Sequence, residues 1–125
     1  MMRVALGVGF RAGTTAAQLD AAIRAALALY PDAEPAVVAT LADKARARAL
    51  RTLCARRGWP LVAFDAVRLA SRPELAASGP SDAALARFGV AGVAEPCAQL
   101  AAPHGRLLGP KFIRDGVTVA LAGPL

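Results

Sequence analysis

Histidine, lysine, cysteine and aromatic side chains are all scarce in this chain of 125 residues, and each scarcity removes a class of chemistry. The one histidine, His104, stands in "APHGR" at what reads as a helix exit, with no second metal ligand or nucleophile near it in sequence. Cys54 and Cys97 are too far apart for a zinc knuckle, and each falls in a helical pattern, so buried free thiols in a reducing cytoplasm are expected. Aromatic residues make up only 5%, and no helix-turn-helix, RNA-recognition or zinc signature accompanies the formal charge of +6, so nucleic acid is not the expected partner. No apolar stretch reaches about 18 residues without a charge or a breaker, which argues against a membrane span. Ser71, Ser78 and Ser81 lie in loop or cap contexts, and no triad, paired carboxylates or metal set can be assembled. No metal or cofactor is expected.

What is present in excess is arginine. Thirteen arginines accompany only two lysines, Lys44 and Lys111, and a planar guanidinium does not replace a compact ammonium on a flexible stem. The basic balance calls for an anionic partner, and a compact polycarboxylate or phosphate satisfies it as well as a nucleic acid does.

The hydrophobic pattern along the chain predicts a single α/β domain over residues 1–125. Residues 3–9 make a first strand, and Thr15 with Gln18 forms a capping-box pattern at the start of a helix whose apolar stripe runs through Leu19, Ile23, Ala26, Leu27 and Tyr30. "AVVATL", 36–41, is a strand of the type buried on both faces, 43–57 a second helix, and "LVAFD", 61–65, a third strand of the same buried type. Residues 71–81 are a loop and the candidate mobile lid; short helices follow near 81–88 and 93–102. "RLLGPKFI" and "VTVALA" flank "RDG", a hairpin signal. The expected architecture is three-layer α/β/α, with a mixed, mainly parallel sheet and a C-terminal antiparallel hairpin.

In such sheets ligands gather where strands end and helices begin. One such junction is "VALGVGFRAGTT", 4–15, where Gly7, Gly9 and Gly13 are spaced one residue off the dinucleotide fingerprint. These glycines are expected to let the backbone approach carboxylates rather than cradle a dinucleotide. The second is "ATLADKARARAL", 39–50, which contains Thr40 and puts Lys44 and Arg46 near the first turn of a helix. Cations there oppose the macrodipole at about 0.3–1 kcal/mol each, a poor placement unless an anion sits between them. Arg46 falls on the side of Leu50 and Leu53 and is expected to reach towards Arg11, whereas Arg48, Arg51, Arg56 and Arg57 read as solvated surface. Glu95, in the first turn of a helix beside Pro96, satisfies dipole and capping rules without any function, yet Gly89 and Gly92 nearby permit close backbone approach.

Four blocks, "LGVGFRAGT", "ATLADKARARAL", "FGVAGVAEPCA" and "LLGPKFIRDGVTVALA", occur in the order in which they resemble the CobE / CbiG C-terminal-domain family, across nearly the whole chain and most like the stand-alone CobE type. The resemblance implies a role in building the corrin ring of cobalamin, with a precorrin intermediate and other enzymes of that pathway as partners. It implies either binding of a macrocycle carrying acetate and propionate arms, or the CbiG-type reaction, a hydrolytic opening of a lactone with release of acetaldehyde. The candidate substrate-binding residues are Gly9, Arg11, Thr40, Lys44, Arg46 and Lys111, with Glu95 as the candidate catalytic residue shaping the site or directing a water. Two departures bear on this: Phe10 stands where relatives often carry a cysteine, and Ala47 where the helix block usually has a glutamate. Neither a thiol at position 10 nor a Lys–Glu pair at 44 and 47 is available, which shifts the expectation from an autonomous enzyme towards binding.

Overall fold

A computed structural model describes all residues 1–125. The strands are β1 (Met2–Gly9), β2 (Ala33–Leu41), β3 (Leu61–Phe64), β4 (Arg106–Leu107), β5 (Phe112–Arg114) and β6 (Val117–Gly123). They form one sheet in the order β3-β2-β1-β6-β4, with β5 also paired to β6. β1, β2 and β3 are mutually parallel, and β6 is antiparallel to β1, β4 and β5. Five strands therefore run one way and β6 alone runs the other, which is the mixed, mainly parallel sheet expected.

The first strand shows why the sheet carries two unlike helical layers. Side chains alternate across a strand, so "VALGVG" sends Val4, Leu6 and Val8 to one face and Ala5, Gly7 and Gly9 to the other. The large side chains join Val119 and Leu121 of β6 and pack under α1 (Ala16–Ala28) and α3 (Arg48–Arg57), through Leu19, Ile23, Leu50, Leu53 and Cys54. The opposite face is paved with alanine: Ala5, Ala120 and Ala122 meet Ala94, Ala98 and Ala102 around α6 (Ala94–Ala101). A floor without bulk lets α6 lie almost on the backbone. A Cβ on Gly7 would stand 1.8 Å from the carbonyl oxygen of Ala94 and 2.7 Å from the amide nitrogen of Ala98. The glycine whose freedom invited an anion-binding reading is thus required by helix packing.

Local signals hold where they are self-contained. Thr15 caps α1 through the Gln18 amide, and the Gln18 side chain returns the bond to the Thr15 backbone. The β5–β6 hairpin turns at Asp115 (φ 55°) and Gly116 (φ 77°), both left-handed as a two-residue hairpin of matching twist requires.

Three expectations change. β2 starts at Ala33 and admits Pro35 where the register with β1 shifts, since a bulge spares the ladder the amide that proline lacks. β3 pairs only with β2 and exposes Val62 and Ala63, so it is an edge strand rather than one buried on both faces. The helix expected over 43–57 is two: α2 (Ala42–Ala45) ends at Arg46, Ala47 is extended (ψ 124°), and α3 starts afresh. α2 lies against the end of β3 while α3 lies along α1, directions one straight helix does not serve. Ahead of the 71–81 segment the chain adds α4 (Ala66–Ala70), capped by Asp65, and α5 (Asp82–Phe88) follows it.

Candidate functional site

A cleft of about 240 Å³ opens where β1 and the start of β6 meet α5 and the N-terminus of α6. Gly9, Phe10 and Arg11 form one side, Ala84, Arg87 and Phe88 of α5 another, and Lys111, Ile113, Gly116 and Thr118 of the hairpin region a third. Residues 92–96 close the floor. This is the carboxyl end of the parallel strands, where an α/β sheet presents its ligands.

Of the residues picked out by sequence, Gly9, Arg11, Lys111 and Glu95 meet in this cleft. Arg11 is exposed and runs beside the hairpin turn, its Cδ and Nε each 3.9 Å from where a Cβ on Gly116 would be. Lys44 stands at the cleft's end, half-buried, with Nζ 5.4 Å from the Phe10 ring centroid and 5.7 Å from that of Phe88. Burial first, then the nearby Arg87 guanidinium, lowers the Lys44 pKa from its ordinary value, and Asp43 offsets part of this. The break after Arg46 leaves that residue exposed and outside the cleft wall. Thr40 is fully buried, and its hydroxyl donates to the Val8 carbonyl at 2.7 Å, tying β2 to β1 just before the Gly9 wall.

The Glu95 carboxylate is 2% exposed and accepts three hydrogen bonds. Oε1 accepts from the Ser78 amide at 2.9 Å; Oε2 accepts from the Ser78 hydroxyl at 2.6 Å and from the Lys111 amide at 3.2 Å. One buried carboxylate thereby fastens the 71–81 segment and the approach to β5 onto the start of α6. The segment expected to be a mobile lid is held by this clasp. Arg87 and Phe88 are not singled out by sequence reasoning, and Ser78 enters it only as a loop serine without a nucleophile's partners. A helix-end "RF" beside a glycine is ordinary surface composition, and nothing local shows that Phe88 faces Phe10 across the fold.

The molecule's three salt bridges use Arg24, Arg57 and Arg72. Arg11, Lys44, Arg87 and Lys111 have no share in them. Three of these cations line the cleft, and Lys44 stands beside its Phe10 and Phe88 rings. None is in an ion pair, because the one carboxylate beneath them, Glu95, is taken by backbone and hydroxyl donors, and this is the site's main electrostatic feature. The cysteines take no part. Burial pushes Cys54 up to about 11 and Cys97 up to about 12, so neither is thiolate under ordinary conditions. Native protein is therefore expected to leave a thiol-specific chromogenic reagent unreacted at mildly alkaline pH and to release two equivalents only in denaturant. Reaction of the folded protein would contradict this burial. No cluster of three or more His, Cys, Asp or Glu could hold a metal.

The sequence matches the family described as "Cobalamin synthesis G C-terminus" over residues 4–122. No curated protein matches it significantly. Among solved structures it is similar to CobE, a protein from the cobalamin (vitamin B12) biosynthetic pathway, at 27% identity and a TM-score of 0.86, covering 97% of this chain and 89% of that one. It is also similar to the cobalamin biosynthesis protein chiG from Agrobacterium tumefaciens, at 25% identity and a TM-score of 0.72, covering 95% and 96%. The four blocks noted in the sequence all lie within the matched span, and they build the end of β1, the end of β2 with α2, the approach to α6 with its first turns, and the C-terminal strands. The chain belongs to the cobalamin synthesis G C-terminal family.

Proposed function

We propose that this protein serves cobalamin biosynthesis by holding a polycarboxylate precorrin intermediate, one edge of the macrocycle seated in the cleft. The observation that carries the reading is the set of unpaired cations around one hollow: Arg11 and Arg87 on its walls and Lys111 beside its floor. Their charge needs an anion, and charge-assisted hydrogen bonds to carboxylates are roughly twice as strong as neutral ones. A volume of about 240 Å³ lies below the roughly 300–1,000 Å³ of pockets that enclose a whole small molecule, so it suits the acetate and propionate arms of one edge. The rest of the macrocycle then lies over the rim, where Ile113 is 60% exposed.

Glu95 shapes this site. With three donors already on its oxygens, it orders the walls rather than directing a water. Thr40 acts beneath the site, through the Val8 carbonyl. No cofactor enters the reading, and the intermediate itself is the partner; other pathway enzymes would deliver and remove it.

The test is to purify the protein from cells accumulating corrin intermediates and record its visible spectrum. Colour is expected with the native chain, is expected to fall about tenfold in occupancy for Arg11→Ala or Lys111→Ala, and is expected to persist for Arg56→Ala, on the exposed side of α3. A colourless native protein would overturn the binding reading. Release of acetaldehyde from a lactone-bearing intermediate by the pure protein would replace it with the hydrolase.

A further inference from the structure

We propose that Lys44 and Arg87 form a distinct two-cation subsite for a single carboxylate, framed by the rings of Phe10 and Phe88, so that the ligand must carry at least two well-separated carboxylates. The inference rests on the binding reading above and deepens it. Arg11 and Lys111 are brought together by the first strand's exit and the hairpin; Lys44 and Arg87 come from α2 and α5. The two rings beside Lys44 both line the cleft, and Arg87 lines it directly.

Two positive side chains from separate elements do not gather without a reason. Each could turn to solvent, yet Lys44 is half-buried, with Nζ 5.4 Å from the Phe10 and 5.7 Å from the Phe88 ring centroid, and it feels the charge of Arg87, the residue before Phe88. The charged groups acting on Lys44 are Arg87 of α5, which repels, and Asp43 of its own helix, which attracts to a lesser extent. The two aromatic faces supply part of the missing negative potential. A carboxylate placed between ammonium and guanidinium turns their repulsion into two attractive contacts, and the rings keep water from competing for it. The planar guanidinium offers a two-pronged contact and the ammonium a single point, so the subsite suits one carboxylate approached from both sides. With Arg11 and Lys111 holding a second carboxylate, the ligand is a polycarboxylate with an apolar body between its arms.

Uroporphyrin, a metal-free tetrapyrrole bearing acetate and propionate arms, serves as the probe, its binding followed by absorbance and by titration calorimetry. Lys44→Met keeps a stem between the rings, and Arg87→Gln changes an exposed residue, so both are expected to fold with native melting temperatures. Each is expected to weaken binding about tenfold. The double variant is expected to weaken it no more than about twentyfold, because both cations hold one carboxylate, against about a hundredfold for independent contacts. As the pH rises towards the lowered Lys44 pKa, native protein is expected to take up protons on binding, since an incoming anion favours the charged ammonium; Lys44→Met abolishes that uptake. Multiplicative losses in the double variant, or native affinity in both single variants while Arg11→Ala and Lys111→Ala lose the probe, would overturn the subsite and leave the binding reading intact. Failure of the native chain to bind the probe would overturn both.

Discussion

Gly7→Ala is expected to destabilise the fold severely, by about 3 kcal/mol or more. The added methyl carbon would sit 1.8 Å from the Ala94 carbonyl oxygen and within 2.8 Å of the Ala94 carbonyl carbon, both backbone atoms of the first turn of α6. A flexible side chain could swing away; a helix backbone packed on β1 and β6 must translate as a unit. Over-packing a core by one methyl group usually costs about 1–3 kcal/mol, and a clash with backbone raises that to about 3 kcal/mol or more, against a total stability of about 5–15 kcal/mol. Displacing α6 would also move Glu95 and the cleft floor. Gly9→Ala is the matched control, because its added carbon would make ordinary contacts, 3.4 Å from the Val93 side chain and 4.0 Å from the Ala94 amide nitrogen. Denaturant titration of the two variants checks the contrast: a Gly7→Ala protein as stable as Gly9→Ala would mean that α6 does not rest on this strand as described.

Glu95→Gln is expected to lower stability by about 2–4 kcal/mol while loosening the 71–81 segment more than the rest of the molecule, since bonds to a buried charged acceptor contribute about 1.5–3 kcal/mol and unsatisfied donors add their own cost. The amide is nearly the size of the carboxylate, so the effect isolates hydrogen bonding from packing. In the native arrangement one oxygen accepts the Ser78 amide, and the other accepts the Ser78 hydroxyl and the Lys111 amide. A glutamine NH₂ placed on either side points at a backbone N–H that cannot reverse its polarity. Whichever way the amide turns, one backbone donor faces another donor. The Ser78 hydroxyl alone can adapt, by rotating. Faster hydrogen exchange at Ser78 and Lys111, with cleavage by protease near Ala77, is the expected local signature. Native exchange rates at both amides would show that Glu95 does not fasten these segments.

The legibility of the chain follows the range of the interactions. The capping box of α1 and the "RDG" turn involve residues within three positions of each other, and both are present as expected. For 61–65 the sequence indicates the right element and the wrong environment, because an apolar run of four looks the same at the centre of a sheet as at its edge, and β3 lies at the edge. The helix over 43–57 carried no proline or glycine to mark its break. That break comes from α2 and α3 packing against different neighbours, and it alone takes Arg46 out of the cleft while leaving Lys44 at its end. Arg87 and Phe88 were unreadable for a similar reason: their partners, Lys44 and Phe10, are more than forty residues away in the chain.

The order of strand-like and helix-like runs, the α1 capping box, the "RDG" turn and the excess of arginine are properties of neighbouring residues and of composition, and by themselves they determine the layered α/β architecture and its basic character. The meeting of Arg11, Lys44, Arg87 and Lys111 around one hollow, and the burial of Glu95 beneath two chain segments, belong to the folded molecule alone. The packing of α6 onto a strand face stripped to alanine and glycine sets where Glu95 lies, and the separate packing of α2 and α3 sets where Lys44 stands: long-range contact, not local preference, decides which distant charges come to share a space.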